Sequence, residues 1–126
     1  MTVRSLVSIA ALALSVSLAA PAMAAGNPQA GATLVKQRCQ MCHVLNKGQK
    51  PTLAPNLNGV GGRKAGSSDF AQYSAALKAS NITWNAARLD TFLTGPSKLV
   101  PGTKMVISVP NPAERADIVA FLVANK

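Results

Sequence analysis

Two cysteines and the only histidine of the chain stand together in the segment Cys39-Gln40-Met41-Cys42-His43. Two thiols at this spacing can add across the vinyl groups of a porphyrin, and the imidazole beside them can take an axial position on its iron. Cys-x-x-Cys-His is the pattern through which a c-type haem is attached. The spacing therefore predicts one covalent haem held by Cys39 and Cys42, with His43 as an iron ligand.

Three other chemistries use two cysteines at this spacing. A zinc site needs two further Cys or His ligands, and the chain has no Cys or His outside this segment. A redox dithiol normally opens a helix among alternating strands and helices, and no such alternation is visible. A structural disulfide would close a very small loop and stabilise the protein little. We favour haem attachment, with these alternatives still open.

The first 24 residues have the pattern of a secretory signal peptide. A positively charged start at residues 1–4 precedes an apolar run at residues 6–20, and Ala-Met-Ala at residues 22–24 resembles a small-x-small cleavage site. We predict a signal peptide at residues 1–24, a mature domain at residues 25–126 and a periplasmic location. An uncleaved membrane anchor is the alternative, although the apolar run is short for spanning a bilayer.

The mature domain is small and strongly basic. About one hundred residues form one domain whose apolar core would be marginal without a group such as haem to pack around. The chain has 13 Lys and Arg against 4 Asp and Glu, so removal of Arg4 with the leader leaves 12 against 4, a net charge of +8. This charge favours an acidic partner or a membrane surface. We expect no nucleic acid partner, because no basic stripe alternates with aromatic residues.

Apolar periodicity predicts a helix directly before the haem pattern. It covers residues 29–38, with Gly31, Leu34 and Val35 near one face. The stretch at residues 44–69 is rich in Gly, Pro and Asn and is predicted to be irregular. A loop of this length needs a surface to wrap, and a haem would provide one.

Two central helices are predicted after this loop. The first is short and covers residues 74–79. The second covers residues 84–94, with Thr83 as its N-cap and Gly95-Pro96 as its stop. Its apolar face is formed by Leu89, Phe92 and Leu93.

The last predicted helix has the clearest start. Asn111 can cap it, Pro112 suits its first position, and Glu114 has capping-box spacing. Its apolar stripe consists of Ile118, Phe121 and Leu122. We expect this stripe to cross the first helix, where Gly31 allows the two backbones to approach closely.

From Gly31 to its C-terminus the chain resembles the class I c-type cytochromes, the electron carriers of mitochondria and of the bacterial periplasm. The segments that carry this resemblance lie at residues 39–43, 54–59, 62–64, 73–74, 81–84 and 101–105. The resemblance implies an all-α cytochrome c fold, a small helical domain with long loops wrapped around one covalently bound haem.

The resemblance also implies which residues form the haem site. Met105, the last residue of Pro-Gly-Thr-Lys-Met, would be the second axial ligand, and Pro55 would accept a hydrogen bond from the ring of His43. The residues that would hydrogen-bond around the haem propionates are Arg63, Tyr73, Trp84 and Thr103. A thioether is soft and uncharged, so ligation by histidine and methionine raises the reduction potential of the iron.

With both axial positions filled by protein, we expect outer-sphere transfer of one electron and no enzymatic reaction. Basic side chains would steer the carrier towards acidic docking surfaces; the candidates are Lys36, Arg38, Lys47, Lys50, Lys64, Lys98 and Lys104. We expect a monomer, with peripheral membrane association at most. Its partners would be redox proteins such as a quinol-oxidising cytochrome complex, a terminal oxidase or a photosynthetic reaction centre, in a respiratory or photosynthetic chain.

Two other functions stay open. The chain could be a haem subunit dedicated to one periplasmic dehydrogenase, or a cytochrome that reacts with peroxide or a gas through a labile Met105. Three residues also depart from the mitochondrial pattern. Phe92 replaces a frequent tyrosine, Leu77 replaces a commonly polar residue and Ile107 replaces a frequent aromatic residue. The first two changes predict a drier pocket on the methionine side.

Overall fold

The computed structural model describes residues 25–126, and the predicted signal peptide lies outside the described residues. The helices are α1 (Pro28–Arg38), α2 (Ala75–Ala79), α3 (Ala86–Thr94), α4 (Pro96–Leu99) and α5 (Pro112–Ala124). Between residues 25 and 126, β pairing is limited to one isolated bridge, so the all-α prediction is confirmed. Over the same residues, no helix has the length and apolarity needed to cross a membrane.

Helix α1 begins one residue earlier than predicted and ends at Arg38, as predicted. The side chain of Asn27 accepts hydrogen bonds from the backbone N–H groups of Gln29 and Ala30 at 2.9 and 3.2 Å. Pro28 occupies the first turn, where its missing N–H leaves no hydrogen bond unmade. Local capping chemistry therefore fixes the start of this helix.

Helices α1 and α5 make the most extensive helix contact of the described residues. A Cβ added to Gly31 would lie 1.9 Å from the backbone oxygen of Asp117, so the crossing requires glycine at this position. Val35 of α1 and Ile118 of α5 are fully buried beside it. The predicted crossing at Gly31 is confirmed.

Helix α5 starts as predicted but without the predicted capping box. The side chain of Asn111 accepts hydrogen bonds from the N–H groups of Ala113 and Glu114. The Glu114 carboxylate instead pairs with Arg38 of α1 at 2.8 Å. A charged guanidinium is a stronger hydrogen-bond partner for a carboxylate than a neutral backbone N–H. The pair therefore joins the end of α1 to the start of α5.

The predicted N-cap of α3 was wrong by two residues. Asn85 caps the helix, and its side chain accepts a hydrogen bond from the N–H of Arg88 at 2.8 Å. Thr83 is instead extended and forms the isolated antiparallel bridge with Lys64. This pairing of distant segments keeps residues 83–85 out of the helix.

The other end of α3 is at Thr94, as predicted, but the chain does not leave helical structure there. Gly95 caps α3 and is also the N-cap of α4, in which Pro96 takes the first position. The fixed φ of proline suits the start of a helix as well as the residue after one. The predicted apolar face is confirmed, since Leu89, Phe92 and Leu93 are all buried.

Residues 39–74 contain no helix and follow a series of turns, as predicted for residues 44–69. The end of α5 holds this loop in place. The N–H of Gly59 donates to the backbone oxygen of Asn125 at 2.7 Å, and the Asn125 side chain donates to the oxygen of Leu45 at 3.1 Å. The long loop is therefore anchored on the helix that also crosses α1.

Candidate functional site

The haem-attachment pattern lies directly after the last turn of α1. The N–H of Cys39 donates to the oxygen of Val35 at 2.8 Å, which continues the helical pattern by one residue. The N–H of His43 then donates to the oxygen of Cys39 at 2.9 Å and closes a turn. The two thiols, of Cys39 and Cys42, are free. One short turn thus carries both thiols and the imidazole.

The ring of His43 is oriented by the long loop. Its Nδ1 lies 2.7 Å from the carbonyl oxygen of Pro55, so Nδ1 carries the proton and Nε2 holds the lone pair. Burial lowers the pKa of His43, and the hydrogen bond to Pro55 opposes this shift. A neutral imidazole with a free Nε2 is the form that binds metal ions.

The two cysteines differ in their surroundings. Cys39 is half-buried against the core, whereas Cys42 is exposed. Burial raises the pKa of the Cys39 thiol, the charge of Arg38 opposes this shift, and Cys42 adds to it. The raised pKa makes the Cys39 thiol less nucleophilic than a thiol of ordinary pKa.

Met105 follows α4 on the segment that leads to α5. Its side chain is half-buried and packs against the same apolar core as Cys39. The hydroxyl of Thr103 accepts a long hydrogen bond of 3.4 Å from the N–H of Met105, and the N–H of Thr103 donates to the oxygen of Val100 at 3.0 Å. The Met105 thioether and the Cys39 thiol therefore both lie at the edge of the same apolar core.

Arg63 and Tyr73 have hydrogen-bond partners within the loop. The guanidinium of Arg63 donates to the backbone oxygens of Asn56 and Asn58 at 2.8 and 3.0 Å. The hydroxyl of Tyr73 is hydrogen-bonded to that of Ser68. A guanidinium has five N–H donors, so Arg63 keeps donor capacity beyond these two contacts. A role of either residue at a propionate stays a prediction.

Trp84 is buried, with 6% of its surface exposed, and its ring lies 5.0 Å from that of Phe92. Its indole N–H has no hydrogen-bond acceptor among residues 25–126. Every fully buried polar side-chain atom of the described residues has a hydrogen-bond partner. Because the indole nitrogen has none, it must be partly accessible. A largely buried indole normally directs its N–H at an acceptor. This donor is therefore free to bind a group outside the polypeptide.

The donor groups of these residues fit haem c. Two free thiols can form thioether bonds, one imidazole offers Nε2, one thioether borders the core, and one indole N–H lacks a protein acceptor. These groups belong to Cys39, Cys42, His43, Met105 and Trp84. The first three lie on one turn, whereas Met105 and Trp84 come from two other segments, and Cys39, Met105 and Trp84 belong to or pack against the same apolar core.

Sequence reasoning missed two contacts that support this site. The ammonium of Lys104 donates to the backbone oxygen of Gln72 at 3.0 Å, so the residue before Met105 is tied to the loop before α2. Asp90 of α3 pairs with Arg115 of α5 at 2.6 Å. Both contacts join residues far apart in the chain, and no local pattern marks them.

Two open grooves lie apart from the cysteines. One of about 490 Å³ is bordered by the end of α2, the start of α3 and the end of α4. The other, of about 310 Å³, runs along the long loop past Arg63 and Asp69. Neither groove is lined by Cys39, His43 or Met105.

The chain was compared with known protein families. The family model described as cytochrome c matches residues 28–126, which is nearly all of the described part of the chain. Cytochrome c2 of Rhodomicrobium vannielii is 44% identical over 117 residues, which cover 92% of this chain and 93% of that protein. Cytochrome c of Theileria annulata is 45% identical over 98 residues, covering 77% of this chain and 84% of that protein.

A solved structure agrees with these sequence matches. Cytochrome cH from Methylobacterium extorquens aligns with a TM-score of 0.71 and 40% sequence identity. The alignment covers 79% of this chain and 99% of that one. The similarity therefore extends over nearly the whole of that structure.

Proposed function

The chain belongs to the cytochrome c family, and on this premise we propose that it is a periplasmic one-electron carrier with His43 and Met105 as iron ligands. Family membership brings one covalent haem c, for which Cys39 and Cys42 have the required spacing, and a role in electron transport. The observation that carries the proposed ligation is the 2.7 Å contact between His43 Nδ1 and the oxygen of Pro55. It leaves Nε2 as the one ring atom able to bind iron.

When bound, haem c supplies a one-electron couple between ferric and ferrous iron. Cys39 and Cys42 would hold the porphyrin by thioether bonds, and Pro55 keeps the His43 ring in one tautomer and one orientation. Met105 would supply the second ligand, a sulfur atom, from the segment between α4 and α5. With His43 and Met105 both bound to the iron, no ligand position would be left for a substrate. The residues of this chain therefore hold the geometry constant while an electron enters or leaves.

Trp84 is proposed to donate its indole N–H to a haem propionate. A buried carboxylate without hydrogen bonds is energetically expensive, and this donor lacks a protein acceptor. Arg63, Tyr73 and Thr103 are proposed to add donors around the same groups. Arg63 also braces the loop that presents Pro55, through its bonds to Asn56 and Asn58.

We also propose that residues 1–24 are a cleaved signal peptide and that residues 25–126 are the mature domain in the periplasm. The charged start, the apolar run and the Ala-Met-Ala segment support export. The similar bacterial proteins are named cytochrome c2 and cytochrome cH.

The proposed partners are redox proteins with acidic docking surfaces. Two of the seven basic candidates are engaged, because Arg38 pairs with Glu114 and Lys104 bonds to Gln72. The other five form no side-chain hydrogen bond or ion pair between residues 25 and 126; they are Lys36, Lys47, Lys50, Lys64 and Lys98. Their exposed ammonium groups are free to meet carboxylates on another protein.

The ligation is tested by the Met105→Leu variant of the mature holoprotein. Leucine keeps the apolar volume but removes the sulfur, so we expect loss of the far-red sulfur-to-iron absorption band and a lower reduction potential. The haem should remain covalently bound, because both thiols are intact. Absorption spectroscopy and voltammetry measure these changes.

Met41→Leu is the matched control. Met41 lies between the two cysteines with 75% of its surface exposed, so this change removes a sulfur without touching the core. We expect the far-red band and the potential of this variant to match those of the wild type. Persistence of the band in Met105→Leu would contradict the proposed ligation.

A further inference from the structure

The segment that carries Met105 is held mainly at its two ends. We call residues 100–111, between α4 and α5, the Met105 segment. Val106 and Ile107 near its centre are 83% and 57% exposed. Within the described residues, no backbone N–H from 106 to 108 donates a hydrogen bond. The position of Met105 therefore depends on how firmly the ends are attached.

The first end is fixed by a turn and by one lysine. The N–H of Thr103 donates to the oxygen of Val100 at 3.0 Å, and Gly102 supplies the left-handed backbone of the turn with a φ of 91°. The ammonium of Lys104 donates to the oxygen of Gln72 at 3.0 Å. These contacts attach residues 100–104, which are all within five positions of Met105 in the chain.

The second end is fixed by two helices. The N–H of Val109 donates to the backbone oxygen of Leu93 in α3 at 2.7 Å, and the Val109 side chain is 3% exposed. From α5, Nη1 of Arg115 donates to the oxygens of Val109 and Pro110 at 2.9 and 3.3 Å. Nε of the same guanidinium pairs with Asp90 of α3 at 2.6 Å.

Arg115 is placed for these contacts by Asp90. A free arginine side chain has many rotamers, and an ion pair at Nε selects those that direct the rest of the guanidinium at residues 109 and 110. The side chains of Arg115 and Asp90 are only 12% and 22% exposed, so water screens the pair less than the Arg38–Glu114 pair, which is 41% and 33% exposed. Both members of the pair come from helices whose apolar faces are buried.

We propose that Asp90 and Arg115 are positioning residues that keep the thioether of Met105 in place by clamping the second end of the Met105 segment. The proposal rests on the ligation by His43 and Met105 proposed above. Loss of the pair would free residues 109 and 110 and lengthen the unsupported stretch around Met105. The methionine would then be displaced more easily by an added ligand.

The test uses the mature holoprotein with Asp90→Asn, which keeps the side-chain size and removes the charge. We expect the amide of Val109 to exchange hydrogen at least several-fold faster, as followed by NMR, while the amides of α1 are unchanged. Added imidazole should displace Met105 at a several-fold lower concentration, measured by loss of the far-red band. Asp90→Glu should restore both values towards those of the wild type.

Glu114→Gln is the matched control, because it removes a carboxylate from the other helix-to-helix ion pair of the described residues and also lies on α5. We expect it to leave Val109 exchange and imidazole binding unchanged. Arg115→Lys is a second variant that keeps the charge but cannot reach the same three acceptors. Arg115→Lys should behave like Asp90→Asn, and it takes the place of Asp90→Asn in the test if that variant fails to fold.

Two results would overturn the positioning role. One is wild-type exchange and imidazole binding in both Asp90→Asn and Arg115→Lys. The other is a Glu114→Gln variant in which Val109 exchange and displacement of Met105 by imidazole increase as much as in Asp90→Asn. That result would mean a general effect on stability. Absence of the far-red band in the wild type would contradict the proposed ligation instead, and Val109 exchange would still decide whether Asp90 clamps the segment.

Discussion

At the scale of single residues, the core against which Met105 packs has apolar side chains at two positions where the mitochondrial pattern often has polar ones. Phe92 is 7% exposed and packs on Trp84, and Leu77 packs against the same core. Neither side chain can donate a hydrogen bond, and both are departures from the mitochondrial pattern noted in the sequence. The hydroxyl of Thr103 bonds to the backbone of Met105 and not to its sulfur.

Phe92→Tyr is expected to perturb the methionine side of the site. A new hydroxyl in this buried place either finds an acceptor or costs about 1–3 kcal/mol of stability. A hydroxyl near the sulfur should change the far-red band or the reduction potential, measured by spectroscopy and voltammetry. Phe121→Tyr, on α5 beside Gly31, is the control and should leave both unchanged. If Phe92→Tyr also leaves both unchanged, Phe92 acts only in packing.

At the scale of elements, the crossing of α1 and α5 depends on backbone approach. Gly31 touches the backbone of Asp117, and a Cβ at Gly26 would lie 2.0 Å from the oxygen of Ala116. The N–H of Asn27 donates to the Asp117 carboxylate at 2.6 Å. Sequence reasoning identified Gly31 but missed Gly26, because Gly26 lies before the helix and shows no periodicity.

Gly31→Ala is expected to destabilise the fold. Its Cβ would meet Asp117 oxygen at 1.9 Å and Phe121 Cβ at 2.9 Å, so the two helices must move apart. Such overpacking typically costs about 1–3 kcal/mol, and a clash with backbone lies at the upper end. Urea unfolding followed by helical circular dichroism measures the loss.

Thr33→Ala is the control for this change, since Thr33 lies on the exposed face of α1. The better helix propensity of alanine should change stability by no more than about 0.5 kcal/mol in either direction. Equal stability of Gly31→Ala and Thr33→Ala would mean that the crossing tolerates a Cβ.

At the scale of the whole molecule, most acidic groups of residues 25–126 are engaged, whereas most lysines of the same residues are not. Asp90 and Glu114 pair with arginines, and Asp117 accepts a backbone hydrogen bond. The five lysines named above as free of side-chain contacts leave their positive charge unopposed at the surface. The net charge of +8 predicted for the mature domain is therefore presented to solvent and to partners.

Electron transfer to an acidic redox protein is accordingly expected to slow as ionic strength rises. The Debye screening length is about 8 Å at an ionic strength of 0.15 M, so long-range attraction between exposed charges is weakened there. The bimolecular rate constant should therefore fall several-fold between low salt and about 0.15 M. Stopped-flow absorption measures this rate. The reaction with an uncharged quinol serves as control and should respond little. A rate with the acidic partner that is indifferent to salt would remove the steering role of the lysines.

Contiguous signals predicted much of the fold and of the candidate site. The turn of Cys39 to His43 continues from α1, and the caps Asn27 and Asn111 act on N–H groups two or three residues away. The start of α3 was misplaced because Thr83 pairs with Lys64, and the capping box of α5 failed because Glu114 found Arg38. In both cases the residue interacts with a partner far away in the sequence instead of with the nearby backbone.

The amino-acid sequence by itself determined the cofactor chemistry, the family and the helical class, because thiol spacing, capping residues and apolar periodicity all act within a few residues. Only the tertiary structure decided that the Pro55 oxygen faces His43 and that Asp90 directs Arg115 to the Met105 segment. The contacts of Pro55 with His43 and of Asp90 with Arg115 join residues 12 and 25 positions apart. They form because burial of the apolar core brings these segments together. A sequence pattern that spans a few residues cannot predict which distant segments will pack against each other.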